Sequence, residues 1–169
     1  DQAPAPDKRL VEILAVGDVM PGGELTNTPD LFDHVTDALR AAGLHPVEGD
    51  RAVVREIDGL TLAFLAWDDL RLAGHDGLLE AVRDVRAEAD IVLVLVHWGR
   101  EYQRHPVLPQ RDLAGELLEA GADIVLGSHP HVVQDLRIIE PTEVEGRAQL
   151  VAYSLGNFVF DQGWDDTAQ

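Results

Sequence analysis

The chain has 169 residues, of which 46% are hydrophobic, and 13 basic against 31 acidic side chains give it a net charge of −18. That length and apolar content fit one globular domain and exclude a disordered chain. The acidic balance disfavours a nucleic-acid partner and charge-driven attachment to an anionic membrane, both of which need a basic footprint. Cysteine is absent, so disulfides, thiolate metal sites and a Cys nucleophile are excluded. No apolar run approaches the roughly 20 residues of a spanning helix, so no direct membrane insertion is expected. No charged start leads into an apolar signal core, so an export signal is expected to be already removed or absent.

Residues 1–8, short and Pro-rich, read as a tether, and residues 9–169 as a single domain. Val11–Val16 is the first expected strand. Thr28-Pro29 offers a cap and a first-turn Pro for a helix carrying Leu31, Val35, Leu39 and Ala42 on one stripe, with Gly43 as its stop. Val53–Ile57 and Leu60–Trp67 read as a hairpin around Asp58-Gly59. A second helix is expected from Asp76 to Ala89. Ile91–Val96, an unbroken β-branched and Leu run, has the mark of a strand buried on both faces. A third helix runs from Pro109 to Gly121. Ile124–Leu126 and Leu150–Tyr153 complete the strands, with Val132–Ile139 pairing with the latter. Strands alternating with helices predict an α/β layered sheet.

Polar residues succeed the strands. Gly17-Asp18, His97-Trp98-Gly99, Ser128-His129-Pro130-His131 and Ser154-Leu155-Gly156-Asn157 each stand at a strand's carboxyl end. Ligands of open α/β sheets bind there, so one Asp, three His and one Asn are expected at one rim. Imidazole and carboxylate together suit a first-row metal. In His129-Pro130-His131 the residue before Pro is pushed toward extended backbone, which predicts both imidazoles on one side about 6.5–7 Å apart along the chain. Singly, each has a plainer reading: His97 as a hydrogen-bonded strand-end residue, Gly17-Asp18 as a common turn. Asp68-Asp69 reads as a solvated turn rather than a ligand pair, and His34, His45 and His75 as surface residues. Arg100, Arg104 and Arg111, with His105 among them, form a candidate anion-gripping patch, since Arg forks pair with carboxylate or phosphate; solvated arginines are the alternative. Ser128 and Ser154 lack the Gly-x-Ser-x-Gly elbow of a Ser hydrolase.

Gly17-Asp18-Val19-Met20, His97 through Tyr102, Gln110 through Asp123, Gly127 through Val132 and Tyr153 through Asp161 together resemble the bacterial CapA family. Those are capsule-synthesis proteins linked to poly-γ-glutamate, similar to calcineurin-like metallophosphoesterases. The resemblance implies a β-sandwich flanked by helices, metallophosphoesterase-like, with a divalent metal centre of one or two ions (Mn, Zn or Fe). By the same resemblance Asp18, His97, His129 and His131 match metal ligands, and Asn157 matches a motif lining the site, a candidate substrate contact. His97 or His129, where not ligating, would serve as general acid. The family's Asn-Leu-Glu and Asn-Asn-His segments are missing: only Pro21–Thr28 joins Met20 to the expected helix. The chain is therefore either a shortened member or one lacking an internal segment.

The expected function is a metal-dependent hydrolase-type role in poly-γ-glutamate capsule production. The alternative, from another class, is a non-catalytic accessory or polymer-binding protein with a degraded site. The resemblance further implies an anionic polymer or phosphoester substrate, capsule-biosynthesis membrane proteins as partners, and a location outside the cytoplasm in the cell envelope.

Overall fold

The computed structural model describes residues 12–15, 17–19, 51–72, 74–141 and 146–159. The expected tether and the expected helix beginning at Thr28 lie outside these residues.

The hairpin is present as β2 (Val53–Ile57) and β3 (Leu60–Asp68), antiparallel with Ile57 opposite Leu60. Asp58 at φ 50° and Gly59 at φ 72° both take the left-handed backbone, the requirement of the two-residue turn whose twist matches the strands. From β3 the chain continues as α1 (Asp76–Arg86), β4 (Ile91–His97), α2 (Leu108–Ala120) and β5 (Ile124–Ser128). β6 (Leu136–Ile139) then pairs antiparallel with β7 (Gln149–Ala152). The resulting six-stranded sheet has the order β2-β3-β4-β5-β7-β6, and its four central strands, β3, β4, β5 and β7, run parallel. The α/β class therefore holds.

Side-chain alternation decides what each face of the sheet meets. Leu65, Val94, Val125 and Val151 stand in register on one face and share a core with Leu78 and Val82 of α1 and Leu113 and Leu117 of α2. Both helices therefore cover the same face. Each of the fully buried aliphatic side chains there contributes about 1.5–3 kcal/mol by leaving water. The next register row, Phe64, Leu93, Ile124 and Leu150, points the other way and belongs to a smaller cluster with Leu126 and Ala152. An apolar groove of about 440 Å³, lined in part by Ile13, Leu14, Phe64, Leu93, Leu95 and Leu126, lies on this side.

Three expectations need correction. Residues 12–15 carry no regular structure and are exposed. The first strand, β1, is Asp18–Val19, and it joins not the main sheet but β8 (Asn157–Val159), in a two-stranded parallel pair with an irregular register. β4 is not closed on both faces either, because Leu95 keeps 40% of its surface exposed beside the groove. And only Leu136–Ile139, the end of the expected Val132–Ile139 strand, pairs with β7. No helix among the described residues is long and apolar enough to cross a membrane.

Candidate metal centre

The carboxyl ends of β3, β4 and β5 are level, because Asp68 lies opposite His97 and His97 opposite Ser128. Three residues that end adjacent strands thus open onto one rim. The segment leaving β4 is pinned from beneath. Trp98 is wholly buried, and its indole Nε1 donates to the Tyr153 carbonyl at 2.8 Å. That crossing passes over Gly127, where a Cβ would collide with both the indole nitrogen and the Tyr153 carbonyl. Only glycine fits there.

The loop between β4 and α2 is held by buried amides. Gln110, 1% exposed, accepts from the Val107 N–H at 3.0 Å and donates to Gln134 Oε1 at 2.9 Å. Gln134 in turn donates to the Gln103 carbonyl at 2.8 Å. The Tyr102 N–H reaches the Pro130 carbonyl at 2.8 Å, tying this loop to the one after β5.

His129 departs from expectation. Its φ is 94°, and those of His131 and Tyr102 are 61° and 58°. The segment after β5 is thus a tight turn, with Pro130 held by Tyr102, and not a continuation of the strand; tertiary contacts override the local preference of a pre-proline residue. The two imidazoles converge nonetheless, with ring centres 5.7 Å apart. Three non-glycine residues with positive φ gathered at one place is strain of the kind that marks functional sites.

His129 and His131 meet a third donor. Their ring nitrogens and a carboxylate oxygen of Glu101 all lie within 4.8 Å of one another. Glu101 is exposed, His129 half-buried and His131 buried. His131 Nδ1 stands 2.9 Å from Asn157 Oδ1. Because that oxygen accepts, the contact calls for the proton on Nδ1, which in a neutral imidazole leaves Nε2 its lone pair, the usual outer arrangement of a metal-binding histidine. Two imidazoles and a carboxylate in this proximity fit a first-row divalent cation such as Zn, Mn or Fe.

His97 stands beside this trio rather than within it, its ring edge-on to His129 at 4.7 Å. Its Nδ1 is 3.3 Å from Asp68 Oδ1, which also accepts the Leu70 N–H at 3.1 Å, while Arg71 Nε lies 3.3 Å from Oδ2. Burial pushes the Asp68 carboxyl up, but the hydrogen bonds from His97 and Leu70 and the charges of His97 and Arg71 outweigh it and leave the group below its ordinary 3.8. Asp18 enters by its backbone, placed opposite Asn157 in the β1–β8 pair; its side chain lies outside what the structure describes. Asn157 is engaged with His131, so its observed partner is a site residue. Arg100 and Arg104 are exposed on the loop that carries Glu101, and Arg111 is exposed on the first turn of α2.

Sequence reasoning missed Glu101 and Asp68. Glu101 stands within the His97–Tyr102 motif, four residues past a candidate ligand, and Asp68 ends a strand that parallel pairing sets beside His97. Those two placements were the available signals. Asp68 does open a turn, its carbonyl accepting the Leu72 N–H, and it lies outside the three-donor cluster as expected, but its carboxylate also meets His97; His75 lies at the surface, paired with Glu116 at 2.6 Å.

Residues 38–162 match the family described as bacterial capsule synthesis protein PGA_cap. The chain is 38% identical over 127 residues to "PGA biosynthesis protein CapA" of Bacillus subtilis (strain 168), covering 67% of this chain and 32% of that protein. It is 36% identical over 133 residues to "Capsule biosynthesis protein CapA" of Bacillus anthracis, covering 68% and 31%. The matched part thus spans about a third of these curated relatives. A solved structure, a hypothetical protein from Thermus thermophilus, aligns at 25% identity with a TM-score of 0.43, over 63% of this chain and 38% of that one. With a family match across most of its length and the motif-bearing rim in place, the chain belongs to the PGA_cap family of bacterial capsule synthesis proteins.

Proposed function

We propose that this chain carries a metal-dependent, hydrolase-type site serving the synthesis of a poly-γ-glutamate capsule in the cell envelope. The observation that carries this reading is the convergence of Glu101, His129 and His131 within 4.8 Å at the ends of adjacent strands. Glu101, His129 and His131 would hold the cation, with Asp18 as a further carboxylate from the neighbouring β1. A divalent cation bound there supplies Lewis-acid polarisation of a phosphoryl or carbonyl oxygen. The chain's own residues do the rest. Asn157 keeps the His131 proton on Nδ1. His97, adjacent to His129 and partly open to solvent, is placed to give a proton to a leaving group. Arg100, Arg104 and Arg111 offer guanidinium forks to an anionic polymer or a phosphoester. The flanked sandwich architecture of a metallophosphoesterase belongs to the same reading, supported by the two described helices on one sheet face and an apolar cluster on the other. Membrane proteins of capsule assembly are the proposed partners.

The test is turnover of a generic phosphoester and of poly-γ-glutamate by metal-loaded protein, compared with the His129→Ala/His131→Ala double variant. Hydrolysis by the wild type and its loss in the variant support the enzyme. The missing Asn-Leu-Glu and Asn-Asn-His segments favour a second reading, a non-catalytic polymer-binding accessory. Inactive protein that retains poly-γ-glutamate, with binding weakened and less salt-dependent in Arg100→Ala/Arg104→Ala, would establish that second reading and overturn the first.

A further inference from the structure

Two histidines of the rim share one arrangement. His131 offers Nδ1 to Asn157 Oδ1 at 2.9 Å, and His97 offers Nδ1 to Asp68 Oδ1 at 3.3 Å. In each case the acceptor comes from a different strand end than the histidine itself. Asp68 closes β3 and His97 closes β4, side by side in parallel register. The Asp69 N–H donates to the His97 carbonyl at 3.0 Å, so the two strand ends are tied by backbone as well as by side chain. The Leu70 N–H donates to the same Asp68 Oδ1 at 3.1 Å and Arg71 Nε lies 3.3 Å from Oδ2, so both carboxylate oxygens are engaged. This carboxylate is built into the end of β3, not a rotamer that happens to lie near.

We propose that Asp68 is the positioning residue of His97: its carboxylate holds the imidazole proton on Nδ1 and thereby makes Nε2 the working nitrogen at the rim. A neutral imidazole has one donor and one acceptor nitrogen, and a carboxylate can only accept, so the Asp68 contact selects the tautomer. The same contact fixes the ring's rotation about its Cβ–Cγ bond. Of the two ring orientations that would serve a strand-end histidine, one remains. The inference rests on the metal-centre reading only for what Nε2 meets; the tautomer itself stands on the geometry of β3 and β4.

The experiment is long-range ¹H–¹⁵N correlation spectroscopy of the protein with ¹⁵N-labelled histidine. It is run without metal at about pH 8.5, above the titration range of imidazole. Wild-type His97 is expected to show a single Nδ1–H form. In Asp68→Ala its two nitrogens move toward the averaged values of exchanging tautomers. His131, held by Asn157, is the internal control and keeps its Nδ1–H signature in both proteins. A wild-type His97 in the Nε2–H form, or one unchanged in Asp68→Ala, overturns the proposal. Loss of the His131 signature together with that of His97 assigns Asp68 to the fold of the rim and overturns it equally. Zn²⁺ titration of the same samples separates this inference from the reading it extends. Wild-type protein that takes up Zn²⁺ supports the metal centre, whatever tautomer His97 shows. Wild-type protein that takes up no Zn²⁺ yet keeps the His97 Nδ1–H form supports the positioning role and contradicts the metal centre.

Discussion

On the helix-covered face of the sheet, Leu65, Leu78, Val82, Val94, Leu117 and Val125 are each at most 1% exposed, and they interlock without polar partners. At the rim, which begins three residues further along the same strands, Glu101 is exposed, His97 and His129 are half-buried, and three non-glycine residues take positive φ. The first region stabilises the fold by removing apolar surface from water. The second is held in place by it, through the Gln110–Gln134–Gln103 amides and the Trp98 indole. Stability and chemistry are therefore separable by mutation, and the first tests of that separation lie in the core.

Leu117→Ala is expected to cost the most, about 2–5 kcal/mol, since it opens a cavity in a fully buried site. Urea unfolding measures this, and folded variant protein should bind metal as the wild type does. A cost under about 1 kcal/mol would show that α2 is loosely packed. Gln110→Leu tests the joint between the two regions. It leaves the Val107 N–H and Gln134 Oε1 without their partner, at a cost of about 1–3 kcal/mol. Unlike Leu117→Ala, it should also weaken metal binding by the folded protein, because the loop carrying Glu101 loses its brace. Equal effects of both substitutions on metal affinity would erase the distinction.

The rim itself should respond in the opposite sense. His129→Gly relieves a residue at φ 94° and is expected to leave stability unchanged or raise it by up to about 1 kcal/mol, while removing a metal donor. Thermal unfolding without metal reads the first effect. The smallest effect is that of pH. Asp68 has its folded pKa lowered below 3.8, so its contribution to stability is complete above that value and disappears as pH falls through the folded pKa. The stability difference between wild type and Asp68→Asn should therefore shrink on acidification below pH 3.8. A difference that grows on acidification contradicts the sign.

The parallel sheet was legible because its signals are local. The Ile91–His97 run, the Asp58-Gly59 turn and the apolar stripes of both helices each specify one element, and all three were found with bounds shifted by a few residues. The rim was legible in composition and less so in geometry. His129 and His131 were identified, but the turn that joins them depends on Tyr102 reaching Pro130, a contact between residues 28 apart in sequence. Asp68 was missed for a related reason. Its partner His97 is adjacent only after β3 and β4 pair, and without that pairing an Asp-Asp after a strand reads as a turn. The residues 12–15 segment erred the other way: its apolar pattern suits a strand, yet among the described residues strand structure begins only at Asp18, where β8 provides a partner.

The claim that Glu101, His129 and His131 form a divalent-cation site is tested most directly by calorimetric titration of the metal-stripped protein with Zn²⁺ and Mn²⁺, beside Glu101→Gln and His131→Ala. The account predicts saturable binding by the wild type and a sharp loss of affinity in both variants, with the fold retained by circular dichroism. Wild-type protein that binds neither ion, or variants that bind as tightly as the wild type, would contradict it.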